Sequence, residues 1–310
     1  MSKKIFLASP RWYCAWVDRA IGMLNDVIDA YQGETIYVNH EIVHNKFIVQ
    51  YFERKWVVFT DDIKSVPSWS IMLFSAHWVA PSFVREAKEH GLRCLDASCP
   101  LVIKVHNEAK KFIRDGYKII YIGKKDHQEA IWVKDNDPDN IFVVYSQAEV
   151  DELDLEAHQK LAVLNQTTLS VDDTKETIEY VQKCFPQVEL PAFSDICYAT
   201  TNRQEAVKEL VTIVDALIIV GSQNSSNSLK LKLIWDKVGI KSILIDNKNE
   251  LPDDFLDWVE NIGISSWASA PDNLVQELIT HLESHFDAKL EREIVTKKEK
   301  MIFPYKIELS

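Results

Sequence analysis

The stretch LAVLNQTTLSVDDTKETIEYVQKCF, residues 161–185, shows the pattern that decides the fold. Its first four residues form a short apolar run, which is typical of a buried strand. A polar NQTT loop follows, and DTKETIEYVQKCF then has the apolar spacing of an amphipathic helix. A strand that leads through a short loop into a helix is half of a βαβ unit, in which successive strands run parallel.

The same alternation continues along most of the chain and predicts an α/β protein with mostly parallel sheets. Further strand-like segments are residues 4–8, 35–38, 71–75, 118–122, 141–145, 216–220 and 241–245. Further helical patterns are residues 17–31, 108–115, 203–214 and 271–286. The end of the chain is charged and then apolar, so residues 287–310 are expected to form a tail that packs on the body.

Composition excludes several classes of protein. The 310 residues include 47 Asp and Glu against 35 Lys and Arg, a net charge of -12 that argues against nucleic-acid binding. No apolar run reaches the roughly 18 residues that span a membrane, and the N-terminus lacks the apolar core of a signal peptide. Five cysteines in such a chain favour a reducing compartment. We therefore expect a cytoplasmic protein with neither nucleic-acid nor membrane partners.

Three of the cysteines, Cys14, Cys99 and Cys197, share one local context. Each lies at or just before the start of a predicted helix, in CAWVDRAI, CPLVIKVHNEA and CYATTNRQEA. Helix N-termini favour anions and therefore stabilise thiolates or a negatively charged cluster. Three similar α/β units could bring one cysteine each to a common centre. The spacing alone leaves open the alternative that these are buried cysteines acting as small apolar residues.

Polar residues follow several of the predicted strands. His40, His77 and His127 come after strand-like segments, at the end of a parallel sheet where ligands bind. The loops NQTT, which includes Thr167, GSQNSSNS, and ASAP, which includes Ser269, have hydroxyls and amides suited to a phosphate or diphosphate. Each loop taken singly is equally well explained by helix capping. Their occurrence together with three histidines favours an anion site.

Two further features concern acid–base and metal chemistry. Glu129, two residues after His127, is a candidate proton carrier, although an isolated Glu is usually a solvated surface residue. The segment HEIVH matches the HExxH motif of zinc hydrolases, which requires His40 and His44 to lie one turn apart on a helix. We expect that helix, but no third ligand follows at the usual spacing, which argues against a zinc hydrolase.

Eight segments taken together resemble the 4-hydroxy-3-methylbut-2-enyl diphosphate reductase family, iron–sulfur enzymes that close the non-mevalonate isoprenoid route. The resemblance runs from about Lys4 to about Phe286, with the motifs in the order found in the family. The segments are PRWYCAWVDRAI, HEIVHN, SAHWVAPS, DASCPLVIKVH, NQTTLSVDDT, DICYATTNRQEAV, VGSQNSSNS and ASAPD.

The resemblance implies a fold and a cofactor. The implied fold is a trefoil of three α/β domains related by a pseudo-threefold axis, with mostly parallel sheets around a central [4Fe–4S] cluster. The implied domains are residues 14–98, residues 99–193, and residues 1–13 with 194–286, followed by the tail 287–310. The cluster ligands would be Cys14, Cys99 and Cys197, one for each domain, which leaves one iron open to substrate. Cys94 and Cys184 match no ligand position, so both are expected in the core.

The resemblance also implies a substrate and a reaction. Thr167 matches the residue near the substrate hydroxyl, and Glu129 matches the proton donor. The implied reaction converts 4-hydroxy-3-methylbut-2-enyl diphosphate to isopentenyl and dimethylallyl diphosphate by two-electron reductive dehydroxylation. The open iron would bind the leaving hydroxyl as a Lewis acid, and reduced ferredoxin or flavodoxin would supply the electrons. The residues that match the substrate pocket, largely around the diphosphate, are His40, His77, His127, Ser225, Ser226, Asn227 and Ser269.

The chain departs from the family at tryptophans. The family has glycine, in PRGFCAGV, SAHGV and AGASAP, at the positions of Trp12, Trp16, Trp78 and Trp267. It commonly has glycine also at those of Trp56, Trp69, Trp132 and Trp258, whereas Trp235 matches no such position. The whole chain has 8 Gly and 9 Trp.

Two explanations could account for these tryptophans. The chain could be a redox-dead, diphosphate-binding paralogue whose Trp rings close the cluster site, since each overpacked ring costs about 1–3 kcal/mol. Alternatively, UGA codons that mean glycine in the source organism have been read as tryptophan. We favour misreading, because random decay would not replace one residue type by one other while sparing every ligand.

Overall fold

The structure, a computed structural model, describes residues 2–76, 79–156, 158–191, 194–222, 239–307 and 309. Within this part of the chain, strands and helices alternate as the sequence predicts. The twelve strands are β1 (Lys3–Ser9), β2 (Ile36–Asn39), β3 (Val57–Phe59), β4 (Ile71–Phe74), β5 (Arg93–Asp96), β6 (Lys118–Ile122), β7 (Ile141–Val144), β8 (Leu161–Asn165), β9 (Ala216–Val220), β10 (Lys241–Ile245), β11 (Asn261–Ser266) and β12 (Ala288–Val295). The nine α-helices of the same residues are α1 (Ala15–Ala30), α2 (Lys46–Glu53), α3 (Pro81–Glu89), α4 (Pro100–Arg114), α5 (Gln128–Lys134), α6 (Gln147–Asp151), α7 (Val171–Cys184), α8 (Tyr198–Leu210) and α9 (Asp272–His285).

The strands form three sheets. The five-stranded sheet has the order β10-β9-β11-β1-β12, the four-stranded sheet β3-β2-β4-β5, and the three-stranded sheet β7-β6-β8. Every ladder between these strands is parallel. The predicted α/β class with mostly parallel sheets is therefore confirmed.

The described residues divide into two compact units. One unit comprises Met1–Gly22, Val43–Trp56 and Tyr198–Lys306, and it contains the five-stranded sheet. The other comprises Met23–Ile42, Val57–Cys197 and Ile307–Ser310, and it contains the four-stranded and three-stranded sheets. The three-domain boundaries expected from the sequence remain a prediction.

In the five-stranded sheet, the side chains of β1 alternate between two apolar layers, as the two-residue period of a strand requires. Ile5 and Leu7 belong to the core cluster that contains α9, whereas Phe6 and Ala8 belong to the cluster that contains α8. Helices therefore cover both faces of this sheet, which explains why the central strand β9 is a continuous apolar run.

The three-stranded sheet follows the same rule around β6. Ile120 and Ile122 pack in the cluster that contains α7. Ile119 and Tyr121 pack in the opposite cluster, which contains residues of α4 and α5. Tyr121 thus points toward the layer of α5, the helix that carries Glu129.

Strands β3, β5, β11 and β12 were not predicted. Three of them are edge strands, which are half exposed and tolerate charged residues such as those of RCLD and AKLEREIV. Strand β11 is central but contains a glycine and two serines. Because Ala288–Val295 pairs with β1, the expectation that residues 287–310 form only a packed tail is corrected.

Four tryptophans occupy turns with a left-handed backbone. Trp12, Trp56, Trp69 and Trp258 have φ values of 58°, 66°, 68° and 64°. Side chains with a Cβ rarely adopt this conformation, whereas glycine adopts it freely. These four backbone positions therefore have the conformation that favours the residue the family places there.

The remaining described tryptophans in the motifs are packed rather than turn-forming. Trp16 is buried with its ring edge-on to Phe303, at 5.1 Å between centroids, and Trp132 packs against a core cluster. Trp267 is fully buried, and its indole N–H finds no hydrogen-bond partner in the described part of the chain. Trp78 and Trp235 lie outside the described residues.

Candidate active site

The three cysteines expected to bind a cluster lie where the sequence predicts. Helices α1, α4 and α8 begin at Ala15, Pro100 and Tyr198, so each cysteine directly precedes a helix. All three side chains are partly exposed, and none of the five cysteines, all within the described residues, forms a disulfide. A thiolate at a helix start is stabilised by the helix dipole and by backbone N–H groups.

The backbone holds Cys14 in a defined position within its unit. Its N–H donates to Ala268 O at 3.3 Å, and its Sγ accepts from the N–H of Val17 at 3.4 Å. Burial raises the pKa of the Cys14 thiol, while Arg203 and the N–H groups of Val17 and Trp16 oppose that rise. A metal bound at this sulfur would favour the thiolate.

Glu129 and Thr167, in the second unit, are joined by two hydrogen bonds. The Thr167 N–H donates to Glu129 Oε1 at 2.8 Å, and the Thr167 hydroxyl donates to Oε2 at 2.9 Å. The Tyr121 hydroxyl also donates to Oε1, at 3.1 Å. Burial raises the pKa of Glu129 to about 7, with these three hydrogen bonds acting in the opposite direction. A carboxyl group with this pKa can hold a proton near neutral pH and release it.

Cys197 and Asp195 lie beside this carboxyl site in the same unit. The Cys197 N–H donates to Thr167 O at 2.9 Å. Asp195 Oδ2 accepts from the N–H of Asn165 at 3.1 Å, and its Oδ1 accepts from Lys104 Nζ at 2.8 Å. Burial raises the pKa of Asp195 to about 6, while Lys104 opposes that rise. The segment that carries Cys197 is thus fixed to the loop that carries Thr167.

His127 is the N-cap residue of α5, and its Nδ1 accepts from the Glu129 N–H at 3.2 Å. Because Nδ1 is an acceptor, the neutral ring carries its proton on Nε2. That N–H is suited to donate to an anionic oxygen. The hydrogen bond also ties the two sequence-predicted residues His127 and Glu129 to one another.

His40 follows β2 at φ 53°, and its Nδ1 lies 3.2 Å from Asp61 Oδ2. The hydrogen bond to Asp61 raises the pKa of His40, which favours the imidazolium form that binds anions. The helix expected over HEIVH is wrong, because α2 begins only at Lys46 with Asn45 as its N-cap. Without that helix the two histidines lack the spacing of a zinc hydrolase site.

The ASAP loop lies in the first unit, between β11 and α9. The Ser269 hydroxyl donates to His44 O at 3.2 Å, next to Ala268, which accepts from Cys14 N–H. Ser269 is therefore near the cysteine loop of its own unit. The predicted pocket residues His77, Ser225, Ser226 and Asn227 lie outside the described residues.

The two remaining cysteines differ. Cys94 is buried in β5, as predicted. Cys184 ends α7 and is exposed, so its expected core position is wrong; the apolar face of the helix ends at Val181.

Sequence reasoning missed Tyr121, Asp195 and Arg203. The first is an aromatic residue in an apolar strand, and the other two act through partners distant in sequence, so none carries a local signal.

No set of three or more His, Cys, Asp or Glu side chains is arranged to hold a metal ion within the described residues. The donor chemistry of the three cysteines nevertheless suits a [4Fe–4S] cluster. Three partly exposed cysteines at helix starts provide the soft, thiolate-stabilising ligands that such clusters require. These residues therefore fit the group.

Known proteins resemble this chain over nearly its whole length. The LytB protein family matches residues 5–283. The 4-hydroxy-3-methylbut-2-enyl diphosphate reductase of Rhodopirellula baltica is 43% identical over 301 residues, which cover 97% of this chain and 94% of that protein. Its namesake from Haemophilus influenzae is 41% identical over 309 residues, covering 99% and 98%.

The fold agrees with this relationship. The E-1-hydroxy-2-methyl-but-2-enyl-4-diphosphate reductase of Plasmodium falciparum superposes with a TM-score of 0.93 at 32% identity, covering 99% of this chain and 96% of that one. A second solved structure, of the reductase described as the terminal enzyme of the non-mevalonate pathway, has a TM-score of 0.65 at 25% identity. The family match and the two relatives that are more than 40% identical cover almost all of the residues discussed above. The chain therefore belongs to the LytB family, that of the 4-hydroxy-3-methylbut-2-enyl diphosphate reductases.

Proposed function

We propose that this protein reduces 4-hydroxy-3-methylbut-2-enyl diphosphate to isopentenyl and dimethylallyl diphosphate, the last step of the non-mevalonate isoprenoid route. The observation that carries the proposal is the identity of 43% over 97% of the chain with a relative of that name. The buried, protonatable Glu129 beside Thr167 supports it, because removal of a hydroxyl as water needs a proton donor. The relationship favours the reductase over a redox-dead paralogue.

Cys14, Cys99 and Cys197 are proposed to hold a [4Fe–4S] cluster. When bound, the cluster would supply two electrons, one at a time, and a Lewis-acidic iron. Reduced ferredoxin or flavodoxin is the proposed electron donor. The thiols of these residues fit a reducing cytoplasm, which is the proposed location. Among the described residues, no helix is both long and apolar enough to cross a bilayer.

Glu129 is proposed to hold the proton that leaves with the hydroxyl. Below about pH 7 its carboxyl is protonated, and the hydrogen-bonded Thr167 hydroxyl at Oε2 lies on the route by which that proton can leave. Thr167 is proposed to position the substrate hydroxyl as well. Both roles need the rigid support that β8 and α5 give them.

The diphosphate is proposed to bind at the polar loops that follow the strands. His127 Nε2–H and a protonated His40 would donate to its oxygens, and the Asp61 carboxylate favours that protonation. The remaining proposed donors are His77, Ser225, Ser226, Asn227 and Ser269. Cationic and N–H donors at such positions neutralise phosphate charge.

The first prediction concerns Glu129 and the reductase activity. The protein reconstituted anaerobically should show iron–sulfur absorbance, contain acid-labile sulfide and consume the diphosphate substrate with reduced methyl viologen. Glu129→Gln should retain the absorbance and lower kcat by about 10²-fold or more, because the proton donor is removed. Exposed Glu176 on α7 gives a matched control, Glu176→Gln, which should keep full activity.

Two outcomes would contradict the proposal. A protein with neither labile sulfide nor turnover would correspond to the redox-dead paralogue. Stoichiometric zinc without sulfide would instead indicate a zinc protein, which the non-helical HEIVH segment disfavours.

A further inference from the structure

Tyr121 is a buried polar residue that has no part in the proposed function described above. It lies in β6 between aliphatic neighbours, and its relative exposure is 0%. Its hydroxyl donates to Glu129 Oε1 at 3.1 Å. A fully buried phenol has to satisfy its hydroxyl, and here the partner is the proposed proton donor itself.

The local backbone makes room for this ring. Gly123, two residues further on, lies so close that an added Cβ would be 2.7 Å from Tyr121 Cε1 and 3.3 Å from Gln166 Cβ. A side chain at position 123 would therefore collide with the Tyr121 ring unless the ring or the backbone shifted. Glycine at position 123 thus leaves space for the Tyr121 ring in the position from which its hydroxyl donates to Glu129.

The two oxygens of Glu129 have different surroundings. Oε1 accepts from the Tyr121 hydroxyl and from the Thr167 N–H, whereas Oε2 accepts from the Thr167 hydroxyl. An amide N–H can only donate. The phenol could reverse only by giving its proton to another acceptor, and in the described residues it bonds to no group other than Glu129. A proton on Oε1 would therefore lack an acceptor.

The Thr167 hydroxyl can reverse, because a hydroxyl both donates and accepts. A proton on Oε2 would be accepted by Thr167 Oγ1, whose own hydrogen could then turn toward a substrate. We propose that Tyr121 is a positioning residue that occupies Oε1 of Glu129 and so keeps the transferable proton on Oε2, beside Thr167. This inference rests on the proposed reductase function and adds a residue to it.

The second prediction is the effect of Tyr121→Phe, which removes the hydroxyl and keeps the ring. The variant should lower kcat by about tenfold with little change in KM, because Tyr121 acts on the proton and not on the diphosphate. A hydrogen bond to the carboxylate stabilises its charged form, so its loss raises the pKa of Glu129. The alkaline limb of kcat should move to higher pH, since the donor stays protonated longer. Asp195, the other titratable group acting on Glu129, and its partner Lys104 are unchanged in this variant.

Tyr117→Phe is the matched control, because Tyr117 also donates to a carboxylate, that of Glu189, but at an exposed site. It should leave kcat and the pH limb unaltered. Infrared titration of the Glu129 carboxyl in the cluster-free protein gives a readout independent of turnover, with Glu129→Gln identifying the band. An unchanged titration and pH limb in Tyr121→Phe would overturn the positioning role. If the wild-type protein fails to consume the substrate, the proposed function fails, while the infrared titration still decides the role of Tyr121.

A second inference rests on different observations, the backbone at four tryptophans. Three of these side chains are almost fully in solvent, with relative exposures of 82% for Trp56, 76% for Trp69 and 99% for Trp258. An indole gains free energy from burial, so an exposed ring in a left-handed turn has neither a packing nor a conformational reason to be there.

The turns themselves are typical glycine positions. Trp56 follows the end of α2, and its N–H donates to Glu53 O at 3.0 Å, as in a helix C-terminal turn that ends in a left-handed residue. Trp69 N–H donates to Gly91 O, and Gly91 is itself at φ 78°. The chain also has few glycines, 8 in 310 residues, where about 7% is usual.

We infer that positions 12, 56, 69 and 258 are glycine in the protein as its own organism translates it. Trp16, Trp78, Trp132 and Trp267, which stand at family glycine positions as well, would follow the same codon. The consequence for function is direct, because the Trp12 and Trp16 rings beside Cys14 would then be absent from the native cysteine loop.

The third prediction is that peptide mapping by mass spectrometry of the native protein finds glycine at these positions and tryptophan at position 235. Tryptophan at 12, 56, 69 and 258 in the native protein, encoded by UGG, would overturn the inference. A recombinant chain gives an independent measurement, since Trp56→Gly, Trp69→Gly and Trp258→Gly should each raise Tm by relieving the left-handed backbone. The control Tyr51→Gly, at an exposed aromatic residue inside α2, should lower Tm. Lower Tm values in all three Trp variants would contradict the strain argument.

Discussion

At the scale of single residues, Glu129 links the chemistry of the site to the stability of the fold. Its side chain is buried, and its pKa is raised from an ordinary value of 4.5 to about 7. Between these pH values the folded protein holds a proton that the unfolded chain has lost. Stability from this group is therefore fully present below about pH 4.5 and is lost as the pH rises to about 7. The loss amounts to about 3 kcal/mol.

The fourth prediction follows from that sign. Glu129→Gln replaces the ionisable carboxyl by a neutral group of the same shape, so the variant should be more stable than wild type at about pH 8 and similar to it at about pH 5. Urea unfolding of the cluster-free proteins at both pH values measures the difference. Glu176→Gln should show no such pH dependence, because Glu176 is exposed. Equal stability of Glu129→Gln and wild type at both pH values would mean that Glu129 is not kept protonated in the fold.

At the scale of elements, strong periodicity allowed accurate prediction and weak periodicity did not. The bounds predicted for β6, β9 and β10 are those observed. Strands β6 and β9 are apolar runs inside parallel sheets, and β10, although it is an edge strand, ends in the apolar residues ILI. Edge strands such as β12 were missed because an edge faces water on one side and carries charged residues. The helix expected at HEIVH failed for another reason. A matching motif says nothing about the backbone, and Asn45 caps α2 after the second histidine.

In the candidate site, too, only the features with a clear local pattern could be predicted from the sequence. Cysteines before helices could be identified from the chain alone, since helix patterns have clear starts. The pairing of Glu129 with Thr167 needed the family resemblance, because 38 positions separate them. Tyr121 gave no signal at all, because an aromatic residue in a strand is ordinary and its hydroxyl partner is set only by packing. Residues that act through partners distant in the chain cannot be identified from a single sequence.

At the scale of the whole molecule, Arg203 joins three distant segments within one unit. Its fully buried guanidinium donates to Trp12 O at 2.7 Å and to Ala199 O at 3.0 Å, and it pairs with Glu299 at 3.1 Å. Asn202 Nδ2 donates to the same carboxylate at 2.9 Å. The C-terminal segment thereby neutralises the charge of the residue that holds the loop before Cys14.

The fifth prediction concerns this buried ion pair. Glu299→Gln keeps the shape and one acceptor but leaves the charge of the buried Arg203 uncompensated, which should cost about 2–4 kcal/mol. Urea unfolding of the cluster-free protein measures that loss, and Glu291→Gln, on the exposed face of β12, should change stability by less than about 0.5 kcal/mol. Because Arg203 also holds the Trp12 carbonyl, the Glu299 variant should lose reconstituted iron–sulfur absorbance faster than wild type. Unchanged stability with unchanged cluster retention would show that Glu299 has no part in holding the loop before Cys14. Loss of both would show that the C-terminal segment around Glu299 is a structural part of the site at Cys14.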